Sequence, residues 1–237
     1  MIKMMILAPR RTGMTREEFR RYVVDVHGPL VKSVAEVAAD IRHYHYNFPV
    51  PGASDTAFKH PLAEHLDIVI EAYFASIEAQ RANMRLPGYV QTVRPDEPRF
   101  ADRSRAVMHY TKEMPVLRGE RTLRRTFYLR RRRLGLSRME FQQRWLEGMR
   151  AIFREERRPT GLAGYVHNQT VSAAEHPDGE DPKYFDVIDE FFLAEPDALD
   201  RLTGDPELLA ATRRLERELL DVTRTRVFVG ETVINIP

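Results

Sequence analysis

The sequence predicts an α+β fold made of two tandem ferredoxin-like units, each β-α-β-β-α-β, packed sheet to sheet. Three observations carry that prediction. The stretch 10–30, RRTGMTREEFRRYVVDVHGPL, reads as a strand end, a tight turn, a capped helix and a break. A blurred copy returns 122 residues later, with Gly135, Ser137, Glu140 and Phe141 in the places of Gly13, Thr15, Glu18 and Phe19. Later features keep step with small slippage: Tyr44 and Asn47 match Tyr165 and Asn168, and Asp67 and Glu71 match Asp186 and Glu190. A period near half the chain means two copies of one domain rather than a solenoid. The predicted domains are 1–118 and 119–237.

Each element follows from its residues. The run 3–10 is apolar and reads as a buried strand. Gly13 supplies the turn. Thr15 and Glu18 have capping-box spacing. Phe19, Tyr22, Val23, Val26 and Leu30 form one apolar helix face, and Gly28-Pro29 is expected to break it, since Pro29 has no amide hydrogen to donate. The helix resumes to about Ala39. A strand is expected over 41–50, rich in Tyr, His and Phe, and an irregular loop over 51–65. The next strand, 66–74, alternates, with Asp67, Val69, Glu71 and Tyr73 on one face and Ile68, Ile70, Ala72 and Phe74 on the other. Ser76 caps a helix to about Met84. A short helix precedes Pro95, and 107–116 is the fourth strand.

The second copy predicts strands at 122–131, 162–171, 184–193 and 225–236. Its helices are 138–157, one opening at Pro196, and 206–221. A polar loop at 173–183 is expected to be mobile. The strand-helix order is the split βαβ arrangement, an open sheet with helices on one face, so each sheet needs a cover on its other face.

Bulk properties narrow the function classes. The 237 residues are 43% hydrophobic and 30% charged, an ordinary globular balance. A net charge of +2 gives no strong pull toward nucleic acid or membrane. The absence of cysteine excludes disulfides, thiol catalysis and thiolate metal sites. The N-terminal run is too short for a secretory signal, and no apolar run has spanning length. A cytoplasmic location is therefore expected.

The signature Gly-x-Thr-x-x-Glu-Phe, followed by Tyr and by His-Gly-Pro-Leu, resembles the EthD family. His43, Tyr44 and Asn47, and then Asp67 and Glu71, are similar to that family's later segments. The resemblance implies the dimeric α+β barrel superfamily, whose members usually pair two identical chains, sheet to sheet, around a pocket. Here the pair is expected within one chain, as an intramolecular pseudo-dimer that can assemble further. The resemblance also implies relatives among polyketide cyclases, muconolactone isomerases, cofactor-free monooxygenases and haem-binding enzymes.

His27 is the leading general acid or base, because its ordinary pKa suits proton transfer near neutrality. The competing reading is a structural histidine at a helix end. The repeat puts Met149 opposite His27 and Arg150-Ala151 opposite Gly28-Pro29, so only the first copy retains the histidine. Glu71 is a second candidate base if it is desolvated in the pocket, although its persistence as Glu190 favours a structural ion pair. Tyr44 is expected to hold a developing oxyanion.

An apolar match at 45, Val166, suggests that His43 and His45 pack on helices. Tyr44, Tyr46 and, in the second copy, His167 would then face a pocket between the sheets. Tyr22, Tyr73 and Arg10 complete the expected substrate-binding set. Arg10 and Arg130–Arg133 could grip a carboxylate, but a solvated charged face is the expectation. A metal set of His43 and His45 with Glu64 or His65 would draw its third ligand from an irregular loop. Neither metal nor cofactor is expected.

The reading is a cofactor-independent enzyme that moves a proton on a small, apolar, enolisable compound, by isomerisation, cyclisation, dehydration or a lyase step. Its substrate is the expected partner, with no nucleic acid and no membrane. The alternatives are a non-catalytic ligand- or haem-binding accessory protein and a cofactor-free monooxygenase.

Overall fold

The computed structural model describes residues 1–53, 60–171, 184–195, 197–202 and 205–236. The loop expected at 173–183 and the helix start at Pro196 lie outside the described residues. The fold is α+β, and the chain forms two compact units. The first comprises 1–49, 64–112 and 232–237; the second comprises 50–63 and 113–231. The expected cut between 118 and 119 therefore falls earlier, inside a strand. The segment 50–63 and the C-terminal residues each belong to the unit other than the one their half of the sequence suggests.

Among the described residues eight strands form: β1 (Ile2–Ala8), β2 (Tyr44–Pro49), β3 (Ile68–Phe74), β4 (Val107–Leu117), β5 (Arg124–Arg130), β6 (Leu162–Thr170), β7 (Val187–Leu193) and β8 (Arg226–Ile236). Within the first unit the antiparallel order is β4-β1-β3-β2, and within the second it is β8-β5-β7-β6. Tyr44 pairs with Ala72 in the first unit, and Tyr165 with Phe191 in the second. No helix among the described residues is long and apolar enough to cross a membrane.

The turn chemistry is as expected. Gly13 and Gly135 have φ of 87° and 93°, a left-handed conformation that L side chains rarely adopt. Thr15 and Glu18 close a capping box, and Ser137 and Ser76 accept from the amides of Glu140 and Ala79. Arg10 and Arg132 brace these turns in the same way. Each guanidinium holds one aspartate, Asp67 or Asp186, while each backbone amide donates 2.9 Å to the same carboxylate. Each Nε also donates to a turn carbonyl, Met14 or Leu136.

Three expectations change. The helix does not break at Gly28-Pro29. It runs on over 16–33, with Val23–His27 as a π-turn. Pro29 cannot donate to the carbonyl four residues back. The ladder widens instead, and the Gly28 amide bonds the carbonyl of Val23, five residues back. The buried face becomes Phe19, Val23, His27 and Val31, in steps of four, while Val26 is exposed. The short helix before Pro95 is likewise a π-turn, Tyr89–Val93, with the Arg94 amide bonding the carbonyl of Tyr89. The arginine run is solvated only at its end: Arg130 and Arg131 are buried, Arg132 is half-buried and Arg133 is exposed.

Candidate active site

A cavity lies within the first unit, between its sheet and its own helices. It has about 70 Å³ of room for the centres of water-sized spheres, enough for several waters. Its floor is the even face of the strands, with Met4, Ile6, Tyr44, Ala72 and Met108. Its roof comes from the 16–33 helix, the Ile77–Asn83 helix and the π-turn at 89–93, with His27, Val31, Gln80, Asn83, Met84 and Tyr89. Glu97, partly exposed, also lines it.

His27 is 3% exposed. Its Nδ1 lies 3.0 Å from Oδ2 of Asp96, whose Oδ1 accepts the Tyr22 hydroxyl at 2.6 Å. The Phe100 ring packs on the imidazole at 4.5 Å. Burial lowers the His27 pKa from its ordinary 6.5, and the Asp96 carboxylate opposes that shift without cancelling it. The ring is therefore neutral at pH 7. With Nδ1 directed at Asp96, Nε2 is the nitrogen left for the cavity, with its lone pair available.

Tyr44 is buried beside Tyr46, ring centres 4.9 Å apart. Burial pushes the Tyr44 hydroxyl well up, and the nearby Glu97 adds to the effect, so it remains a donor across the physiological range. Tyr89, buried and donating to Glu97 at 2.5 Å, is pushed up for the same reasons. Neutral hydroxyls, a neutral imidazole and an apolar wall suit proton transfer to and from a carbon acid, with a donor for the developing oxyanion.

The sequence-derived candidates divide between the two faces of the sheet. His27 and Tyr44 line the cavity, and Tyr22 supports it through Asp96. Tyr46 is on the same face, its hydroxyl 3.4 Å from Nδ2 of Asn235. Glu71 and Tyr73 are on the opposite face, away from His27. Glu71 pairs with Lys3 and accepts from Nδ2 of Asn47 at 3.0 Å. His43 and His45 pack against Tyr73, so the expected assignment of faces is reversed: the tyrosines look toward the helices. The pattern missed this because Tyr44 and Tyr46 stand beside apolar Ala72 and Ile70, whereas His45 and Asn47 flank the charged Glu71.

Arg10 is occupied by Asp67 and does not line the cavity. His167, in the second unit, is committed to Asp189, with Nδ1 2.9 Å from Oδ1. Asp189 also accepts from Arg130, Trp145 and Tyr165. Burial raises its pKa, but His167, Arg130 and Tyr165 outweigh that and leave it below the ordinary value. Asp96, Glu97, Gln80 and Tyr89 were missed by sequence reasoning. The one available signal was the acidic pair Asp96-Glu97 set between Pro95 and Pro98.

Comparison with known proteins bears on the same segment. The EthD domain family model matches residues 11–104. Dehydratase ustZ of Ustilaginoidea virens is 33% identical over 124 residues, covering 49% of this chain and 87% of the relative. Among solved structures, an anthrone oxidase-like protein superposes with a TM-score of 0.65 at 10% identity, covering 98% of this chain and 91% of that one. A monooxygenase candidate from Fusobacterium nucleatum gives 0.61 at 6% identity, covering 98% and 93%. At such identities these structures share the fold alone.

Proposed function

Because the chain belongs to the EthD family, we propose that it is a small-molecule dehydratase working by general acid/base catalysis without a cofactor. The observation that carries this reading is the His27–Asp96 pair, buried at the wall of an apolar cavity that Tyr44 also lines. The name of the relative from Ustilaginoidea virens supports dehydration over isomerisation or cyclisation.

The substrate in this reading is a β-hydroxy carbonyl compound. Nε2 of His27 removes the proton between the carbonyl and the carbon bearing the hydroxyl. Tyr44 donates to the oxygen of the resulting enolate. As the enolate collapses, the carbon–oxygen bond to the hydroxyl breaks. The imidazolium returns its proton to the departing oxygen, releasing water and an unsaturated carbonyl compound. Asp96 orients the ring and steadies the transient imidazolium. Glu71, on the other face, is assigned to structure. We also propose that the chain is a tandem duplication whose second copy has given up this chemistry.

The test is proton exchange and turnover on simple hydroxy ketones. Wild-type protein is expected to dehydrate at least one, and His27→Ala to lose roughly 100- to 10,000-fold, the usual worth of a general base. Glu71→Gln is expected to retain the rate if it folds. Full turnover by His27→Ala would remove the mechanism.

A further inference from the structure

Gln80 sits in the cavity wall with nothing in the proposed chemistry to do. It is fully buried at 0% exposure. Its Oε1 accepts the Tyr110 hydroxyl at 2.6 Å, which fixes the amide plane. That leaves the amide nitrogen directed at the Sδ of Met84, one helical turn on, and both residues line the cavity. A thioether is a weak acceptor. A buried amide donor aimed at such an acceptor gains if a ligand oxygen takes the sulfur's place. The cavity's charge points the same way: among its described lining residues there is no lysine or arginine, while Glu97 supplies a carboxylate.

We infer that Gln80 is a specificity-determining residue, reading a second, uncharged oxygen of the substrate, and that the site excludes carboxylates. The inference rests on the proposed reading of His27 for the orientation of the ligand: the enolisable carbonyl lies at His27 and Tyr44, and a ring hydroxyl or second carbonyl lies at the Gln80 amide. A carboxylate in either place would be desolvated without a counter-ion and would face Glu97. The substrate class is therefore a neutral compound with two separated oxygens, such as a hydroxyaryl ketone, rather than a free acid.

The experiment uses the full chain and three probes of one shape: 4'-hydroxyacetophenone, acetophenone, which lacks the second oxygen, and 4-hydroxybenzoate, which replaces the ketone by a carboxylate. Affinities are read by calorimetry, and deuterium uptake at the ketone methyl is read by NMR in heavy water. The expected order is 4'-hydroxyacetophenone tightest and 4-hydroxybenzoate at least tenfold weaker. Gln80→Leu is expected to weaken 4'-hydroxyacetophenone about tenfold, the worth of one hydrogen bond, and acetophenone less than twofold. Tyr110→Phe, which leaves the amide in place but unanchored, is expected to reproduce part of that selective loss and guards against a Gln80 variant that fails to fold.

Equal weakening of both ketones by Gln80→Leu, binding of 4-hydroxybenzoate as tight as the ketone, or no binding of 4'-hydroxyacetophenone overturns the inference. Methyl exchange that persists in His27→Ala counts against the base assignment alone. The affinity pattern across the Gln80 variants still decides the role of Gln80.

Discussion

In the first unit the strand residue beside Tyr44 is Ala72; in the second, the residue beside Tyr165 is Phe191. That difference, with two others, separates the cavity of the first unit from a packed aromatic cluster in the second. Phe191 stacks on Tyr165 at 4.3 Å, and Phe153 closes on both rings at 5.4 and 5.6 Å. Met149 stands where the repeat puts His27, fully buried in the same cluster. The helix beneath is regular over Arg138–Ile152, where Arg150-Ala151 stands at the places matching Gly28-Pro29 and every amide can donate four residues back. The opposite faces of the two sheets do not differ in this way. Lys3–Glu71 with Asn47 is matched by Arg125–Glu190 with Asn168. The comparison teaches that the two units share their ion-pair brackets and differ on the helix-covered face.

The sharpest way to break the comparison is to make the first unit like the second. Ala72→Phe is expected to fill the cavity and abolish turnover and probe binding. It should leave the fold intact at a cost of about 1–3 kcal/mol, the range for overpacking. Unfolding curves beside an activity assay check it; an active Ala72→Phe protein would place the chemistry elsewhere. The reverse change, Phe191→Ala, removes a ring from a close-packed cluster and is expected to cost about 3–5 kcal/mol of stability. The first unit's His27 chemistry should be untouched under conditions where the protein is folded. Chemical denaturation with turnover measured below the transition separates the two effects.

How much of this was legible beforehand can be argued from particular residues. Gly13, Thr15 and Glu18 announce a turn and a cap because those devices are local, and the copy at Gly135 and Ser137 announces itself for the same reason. Alternation in 66–74 gives two faces, but not which one the helices cover, so Tyr44 and Glu71 were expected together and are found on opposite sides. His27 was legible as an oddity beside an apolar stripe. Its partner was not: Asp96 is 69 residues away in sequence, in a segment with no periodic pattern, and only the folded chain brings it near. The π-turn was half legible, since Pro29 signals a defect in the ladder without saying whether the helix ends or widens.

Asp96 offers a test of electrostatics rather than volume. Because the His27 pKa lies below 6.5, kcat/KM should hold as pH falls through 6.5 and decline only through the lower, folded-state value. Asp96 acts to raise that pKa, so Asp96→Asn should move the acid limb to still lower pH while reducing kcat about 10- to 100-fold through loss of ring orientation. Stability is linked with the same sign. The unfolded histidine takes up a proton near pH 6.5 and the folded one does not, so this group's contribution is present above 6.5 and is lost as pH falls toward the folded pKa. A limb that moves to higher pH in Asp96→Asn would mean that the titrating group is not His27.

The smallest expected effect belongs to Pro29. Pro29→Ala restores an amide hydrogen and permits the ladder to close four residues back, as it does in the Arg138–Ile152 helix. If the proline alone imposes the π-turn, the helix relaxes, His27 rotates away from Asp96, and the first unit loses activity while gaining regularity. The packing of Phe19, Val23 and Val31 opposes that rotation, since all three are buried in the present register. The Asn235 side chain opposes it too, donating to the Gly28 carbonyl at 3.3 Å. The π-turn is therefore expected to persist largely intact. Stability should change by less than about 1 kcal/mol, the scale of proline's effect on the unfolded chain, and kcat by only a few-fold. The imidazole resonances of His27 report the outcome directly. An unchanged Nδ1 shift means that tertiary packing holds the turn and the proline merely permits it, whereas a shift to the value of Asp96→Asn means that a single missing donor keeps the two halves of this protein different.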